Sequence, residues 1–519
     1  MATIRSLLIH GSTLSMLTMV SRVLGLLREM TKARLLGTTA LSDAFSVAFM
    51  IPNLFRRLFA EGSIAVAFIP TFKKRLSGDG KDEIRNFLSC VFTFLTFCVT
   101  VAVIIGILLS PLIVSLFGLK EFDETVLLTR VMFPFLAFIS IAAFFQGILN
   151  SVDVFTPSGA APILLNIVTI VCAYILKDLT GNPARAMAIG VLVGGFLEVA
   201  IQLPFVLKKG FSFFFTDIRK AIKHPGTKTI LKLIGPTVIG MAAYQLNDLV
   251  STALAGNAGQ GVVSSLQYSL RLQELILGVF AVSIGTVLLP DFAEHAKAGN
   301  WNMFNARLQS AISIIAFITV PITFFAICQG ETLIRLLFQG YSFTEESVAL
   351  TKTVFVFHAP ALLFIALNRI LAPAFYAQSD TKSPTLAGVI SFMVNMALAF
   401  VMVGKFRGAG IAFALTVASV VNTILLLFFL KKNPLVQMGG VWKPILYIAK
   451  LCLFSMIAAV PVILLNQQLL ALFAEYNRFI HYGFPFMIAA FIYFSIELVL
   501  LIITKDGQTR KLISIVKFR

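Results

Sequence analysis

The 519-residue chain is poor in charge and in the residues that usually carry soluble chemistry. Only 13 % of its residues are charged, and it has five histidines, five cysteines and two tryptophans. A soluble chain is about 25 % charged, so a water-soluble globule is excluded. Cys90, Cys98, Cys172, Cys328 and Cys452 never form a C-x-x-C pair and fall within or beside apolar stretches. They indicate neither a disulfide framework nor a zinc site. No G-x-x-x-x-G-K-[ST] loop is present to cradle ATP phosphates, and the histidines are scattered singly. His358 reads as a satisfied interior residue rather than a proton relay. Where a signal peptide would show a small-residue cleavage site, the chain has Ser21-Arg22-Val23-Leu24-Gly25, so its first apolar stretch reads as an uncleaved helix.

What is abundant is apolar sequence: 58 % of the residues, with a mean hydropathy of +0.92. A helical crossing needs roughly 20 apolar residues. Fourteen runs are long enough, from 6–27 and 41–68, through 262–290, 384–404 and 408–430, to 444–470 and 480–504. The fold class expected is therefore an all-α polytopic membrane protein of fourteen transmembrane helices. The net charge of +18 does not indicate nucleic acid, because the basic residues flank apolar runs instead of forming one solvated face. With the N-terminus in the cytoplasm, about 25 Lys and Arg fall inside and about 9 outside, a strong positive-inside bias. Both termini are expected to be cytoplasmic.

An internal repeat appears when the chain is slid by about 220 residues. Ser63-Ile64-Ala65-Val66-Ala67-Phe68-Ile69-Pro70 then faces Ser283-Ile284-Gly285-Thr286-Val287-Leu288-Leu289-Pro290, and at an offset of 227 the turn Val152 to Pro157 faces Ser379 to Pro384. Each half holds six helices, and an even number per repeat gives both halves one topology, a transporter-like plan. The expected organisation is a six-helix lobe at 1–210, a cytoplasmic linker at 211–228 marked by Pro225-Gly226 and many lysines, a second six-helix lobe at 229–432, and two additional helices with a tail at 433–519.

Ionisable residues inside a span are costly and usually face a bundle interior or a wet cavity. Arg22, Arg28, Asp43, Arg56 and Arg57 fall in or beside the first two spans, and Arg271 and Glu274 fall in the eighth. Arg271 and Glu274 share a helix face, so a local ion pair is as plausible as a functional role. For Arg22 and Arg28 to aim inward together, the helix must bend near Gly25. Pro52 removes a backbone donor and is the expected hinge of the second span. The arginine fork suits bidentate phosphate, so the cargo indicated is anionic, a phosphate or pyrophosphate. Asp248 and Asn395 offer oxygen ligands for Na⁺, and uphill transport would draw on the membrane potential, Na⁺ or H⁺.

Ser21-Arg22-Val23-Leu24-Gly25 with Arg28, and the string Asp43 to Phe49, Pro52-Asn53-Leu54-Phe55-Arg56-Arg57 and Phe59-Ala60-Glu61-Gly62, resemble the MurJ (MviN) family of lipid II flippases within the multidrug/oligosaccharidyl-lipid/polysaccharide exporter superfamily. The resemblance implies a non-enzymatic transporter of the bacterial inner membrane. Its cargo would be lipid II, the undecaprenyl-pyrophosphate-linked disaccharide peptide, carried outward for peptidoglycan assembly by alternating access. It implies no cofactor, and cell-wall synthesis or division machinery as protein partners. Arg22, Arg28, Arg56, Arg271 and Asn53 match its cavity contacts, and Asp43, Glu274 and Glu61 its acids. Helices 13 and 14 would form a groove for the polyprenyl tail. Two departures stand out: Leu270 precedes Arg271 where some members carry an acid, and Ala399 leaves Asn395 without an acid one turn later. The rival readings are an exporter of another lipid-linked oligosaccharide, a drug/ion antiporter of the same superfamily, a membrane glycosyltransferase, and a scaffold.

Overall fold

The computed structural model describes residues 4–57, 67–432, 435–436 and 442–510, and every element among them is helical. The helices are α1 (Ile4–Leu36), α2 (Ala40–Arg56), α3 (Ile69–Gly78), α4 (Lys81–Ser115), α5 (Phe122–Met132), α6 (Phe135–Ser151), α7 (Thr156–Ile175), α8 (Pro183–Lys208), α9 (Ile218–Lys223), α10 (Pro225–Asn257), α11 (Val262–Lys297), α12 (Trp301–Phe338), α13 (Glu345–His358), α14 (Ala361–Tyr376), α15 (Lys382–Lys431), α16 (Trp442–Leu472) and α17 (Arg478–Ile503). Among the described residues eight helices are long and apolar enough to cross a membrane, or nine when the bent pair α13 and α14 is taken as one span. The chain is an integral membrane protein. Its contacts divide it into two compact units, residues 1–264 and 265–519.

In the first unit, α7 and α8 pack against each other most closely. Gly190 and Gly194, spaced as G-x-x-x-G on α8, make this possible, because a Cβ on either would fall within 3.0 Å of the α7 backbone at Thr169 or Leu165. Without a hydrophobic drive between helices in lipid, such close backbone approach supplies the van der Waals attraction. A second core gathers Phe68, Phe72, Phe87, Phe144 and Phe145, with Phe68 stacked on Phe72 at 5.3 Å between centroids. In the second unit, Phe325 of α12 packs with Ala458 and Val462 of α16 and with Ala489 and Tyr493 of α17.

The two units carry the same backbone irregularities. The apolar run at 125–148 is interrupted at Phe133-Pro134, and the run at 347–372 at Ala359-Pro360, where the helices bend by 42°. A proline lacks the amide that the ladder needs and crowds the preceding turn. Non-glycine residues with left-handed backbones follow α6 and α14: Asp153 at φ 58° and Ser379 at φ 59°. Both close the same turn, with Val154 N donating to Leu149 O and Asp380 N to Phe375 O. These features repeat at 226 positions (379 minus 153, 360 minus 134), which corrects by one residue the offset of 227 read from the sequence. Arg407, at φ 48° and ψ −129°, divides the 50-residue α15 between the two apolar runs that end at 404 and begin at 408.

Candidate functional site

The charged residues of the first unit collect on α1 and α2. α1 runs without a break through Gly25, so no interruption of the helix accompanies the bend expected there. Arg22 is exposed and Arg28 half-buried. Arg28 Nη2 donates to Glu29 Oε1 at 3.0 Å, and its guanidinium stands 5.3 Å from the centre of the Phe49 ring. Glu29 also faces Lys32 at 3.8 Å. The Lys32 ammonium is buried and donates to Ser46 Oγ at 2.8 Å. The sequence reading of charge inside the spans does not include Glu29 and Lys32, although three charges in the five residues from Arg28 to Lys32 were the available signal.

α2 begins with the Thr39 hydroxyl accepting from Ser42 N and continues through the buried Pro52 to Arg56. At its end, Arg56 Nε donates to Asn53 Oδ1 at 2.7 Å. The i, i+3 spacing puts the two side chains on one face, so the amide fixes the direction of the fork. Glu61, with Phe59, Ala60 and Gly62 of the family string, lies outside the described residues.

Asp43 meets the start of α11, more than two hundred residues further along the chain. It is 2 % exposed, and its Oδ2 accepts from Gly261 N at 2.6 Å and its Oδ1 from Ser264 N at 2.8 Å. The first amides of a helix have no partner within it, and negative charge there is favoured by the helix dipole. Asp43 therefore closes the start of α11.

In the second unit, Arg271 Nη1 donates to Glu274 Oε2 at 3.1 Å, with side chains 31 % and 61 % exposed. An ion pair this exposed contributes about 0–1 kcal/mol; it orients the arginine yet yields readily to a stronger anion. Nearby, His358 is buried at the break between α13 and α14. Its Nδ1 lies 2.7 Å from Ser269 Oγ, and its carbonyl accepts from Gln273 Nε2 at 2.9 Å. It is the satisfied interior residue that was expected. Asp248 lies on α10 in the first unit and the buried Asn395 on α15 in the second. Among the described residues no three His, Cys, Asp or Glu side chains gather as a metal site would need. Sequence reasoning also passed over Glu497 of α17, an acid in an apolar run. It is 2 % exposed and accepts from Ser455 Oγ of α16 at 3.1 and 3.2 Å.

A family model described as lipid II flippase MurJ matches residues 32–480. A probable lipid II flippase MurJ of Treponema pallidum is 44 % identical over 520 residues, 99 % of each chain. The chain belongs to the MurJ family. A solved structure of lipid II flippase MurJ in an inward closed conformation superposes with a TM-score of 0.78 at 26 % identity, covering 95 % of this chain and 99 % of that one. An inward-facing multidrug resistance MATE family transporter gives a TM-score of 0.64 at 18 % identity over 80 % of this chain and 96 % of that one, a likeness of fold. The MurJ match from residue 32 onward spans Asp43, Arg56, Arg271 and Glu274. Arg22 and Arg28 precede it and are reached by the full-length likeness to the Treponema protein.

Proposed function

We propose that this protein is a lipid II flippase of the bacterial inner membrane, moving the undecaprenyl-pyrophosphate-linked disaccharide peptide from the cytoplasmic to the periplasmic leaflet by alternating access. The 44 % identity to a probable lipid II flippase over essentially the whole chain carries this reading. It is a transporter and makes or breaks no covalent bond. The fourteen apolar runs are read as fourteen crossings with both termini in the cytoplasm: two six-helix lobes, 1–210 and 229–432, joined by the linker 211–228. The pair α16 and α17 would serve the polyprenyl tail.

Pyrophosphate binding is assigned to Arg22, Arg28 and Arg56 in the first unit and to Arg271 in the second. A pyrophosphate brings more charge than one carboxylate, and charge-assisted bidentate bonds to arginine are the strong ones. It would displace Glu29 from Arg28 and Glu274 from Arg271, while Asn53 keeps the Arg56 fork in place. Release would let the carboxylates return. In this scheme Glu29 and Glu274 exchange with the cargo, and Asp43 does not.

The test is depletion of the resident flippase in a bacterial host that expresses this chain, scoring lipid II exposed to an externally added cleaving enzyme. Arg28→Ala, Arg56→Ala and Arg271→Ala are each expected to lower exposure at least tenfold at normal membrane levels, since one lost charge-assisted contact is worth about 1.5–3 kcal/mol. Arg→Lys at the same positions should restore little. Full exposure from the triple alanine variant would overturn the assignment of roles, and no exposure from the well-expressed parent chain would overturn the lipid II reading. The same assay in vesicles with an imposed potential, Na⁺ gradient or H⁺ gradient identifies the coupling.

A further inference from the structure

Inside the first unit, α4, α6 and α10 enclose an apolar cavity of about 220 Å³. Its walls include Val91, Cys98 and Ala102 of α4, Leu136 of α6, and Thr227 and Ile234 of α10. Along α4 the lining extends over twelve residues, from Val91 to Ala102, about 16 Å at 1.5 Å per step. The two long walls start from the same end, because Gly226 lies directly against Phe87, early in α4. The space is therefore a slot that begins beside Val91 and Thr227 and ends beside Ala102 and Ile234. Leu231 and Cys98, both lining it, are exposed on the outer surface of the unit.

The two ends differ chemically. At the first, Thr227 is 1 % exposed and its hydroxyl has no hydrogen-bond partner among the described residues. Around that end the stretch 208–232 carries Lys208, Lys209, Arg219, Lys220, Lys223, Lys228 and Lys232, all exposed. Its one acid, Asp217, is occupied with the amides of Arg219 and Lys220 at the start of α9. The exposed Phe214 and Phe215 stand beside these cations, on a segment tied to α4 by Phe214 N to Ser89 Oγ and Thr216 N to Thr93 Oγ1. At the other end the lining is hydrocarbon.

We propose that this slot holds one acyl chain of an anionic glycerophospholipid. The phosphate would rest among the lysines, and an ester carbonyl would accept from the Thr227 hydroxyl. A polyprenyl chain brings no ester to that hydroxyl, and a free phosphate does not fill the slot. None of the arginines of α1 and α2 is among the residues that line the slot.

The experiment uses the full chain in phosphatidylcholine vesicles with a trace of phosphatidylglycerol bearing a photoreactive group on its acyl chain, with adducts mapped by mass spectrometry. Adducts are expected within 91–102 and 227–234, several-fold more abundant than with the matching phosphatidylcholine probe, and displaced by unlabelled phosphatidylglycerol but not by inorganic phosphate. Ala102→Trp, which fills the slot, should abolish them. Charge reversal at the exposed Lys228 and Lys232 should remove the preference for phosphatidylglycerol while leaving the fold intact, and it decides the matter if the tryptophan variant does not fold. Equal labelling by both probes, absence of adducts in the slot, or displacement by undecaprenyl phosphate but not by phosphatidylglycerol would each overturn the proposal.

Discussion

Arg271 and Glu274 were legible as a pair because three residues on a helix bring two side chains to one face, and the same rule joins Asn53 to Arg56. Asp43 was not legible in this way. Its partners are amides 218 and 221 residues further along, and no spacing rule reaches that far, so the acid read as a cavity acid that orients the arginines or exchanges partners with the phosphate. As the closing acceptor for α11, Asp43 gives a residue-scale prediction. Asp43→Ala strands two buried amides and should lower stability by about 1–2 kcal/mol, read as a lower melting temperature of the detergent-purified protein. Asp43→Asn, which keeps one acceptor, should lose less. An unchanged melting temperature in the alanine variant would show that the contact contributes nothing. An asparagine variant that melts normally yet does not flip would return Asp43 to a role with the cargo.

Helices were legible where hydrophobicity alone decides them, and their interruptions were not. Pro134 and Pro360 sit in apolar runs, and a proline hardly changes the hydropathy of a window although it removes a hydrogen bond. The division of α15 could be read, because Lys405-Phe406-Arg407-Gly408 breaks the apolar run itself. α1 continues beyond the expected end at 27 to Leu36, with Glu29 set between Arg28 and Lys32 and the Lys32 ammonium donating to Ser46. The start of α10 carries a prediction at this scale. His224 Nδ1 accepts from Gly226 N at 3.1 Å, which requires that nitrogen to be unprotonated. Burial, and then the positive charge of Arg75, hold the imidazole below its ordinary value of 6.5. Because the unfolded chain takes up this proton first, the cap's contribution is complete above pH 6.5 and is lost as the pH falls toward the folded-state value. The melting temperature should therefore decline on acidification below about pH 6.5, and His224→Asn should flatten that decline. A profile identical in the variant would assign the acid sensitivity to other groups.

For the whole molecule, composition excluded the soluble classes and the distribution of lysine and arginine predicts an orientation, whereas the partners of each buried charge depended on long-range packing. α8 spans 26 residues, about 39 Å at 1.5 Å per residue, enough to cross a bilayer core of about 30 Å. The turn before it and the Lys-rich stretch after it should thus lie on opposite sides. In a cysteine-free background, Asp178→Cys should react with an impermeant maleimide on intact cells, and Ser212→Cys only after permeabilisation. The reverse pattern would invert the topology. The bond from Asp43 to Ser264 also has a consequence for biosynthesis. At 5–20 residues per second, the ribosome needs about 10–40 s after completing α2 to supply the amides that its aspartate will hold. A nascent first unit thus waits with an acid unpaired until more than half of the chain has been made, an interval during which an insertase or a neighbouring lipid has its opening to act.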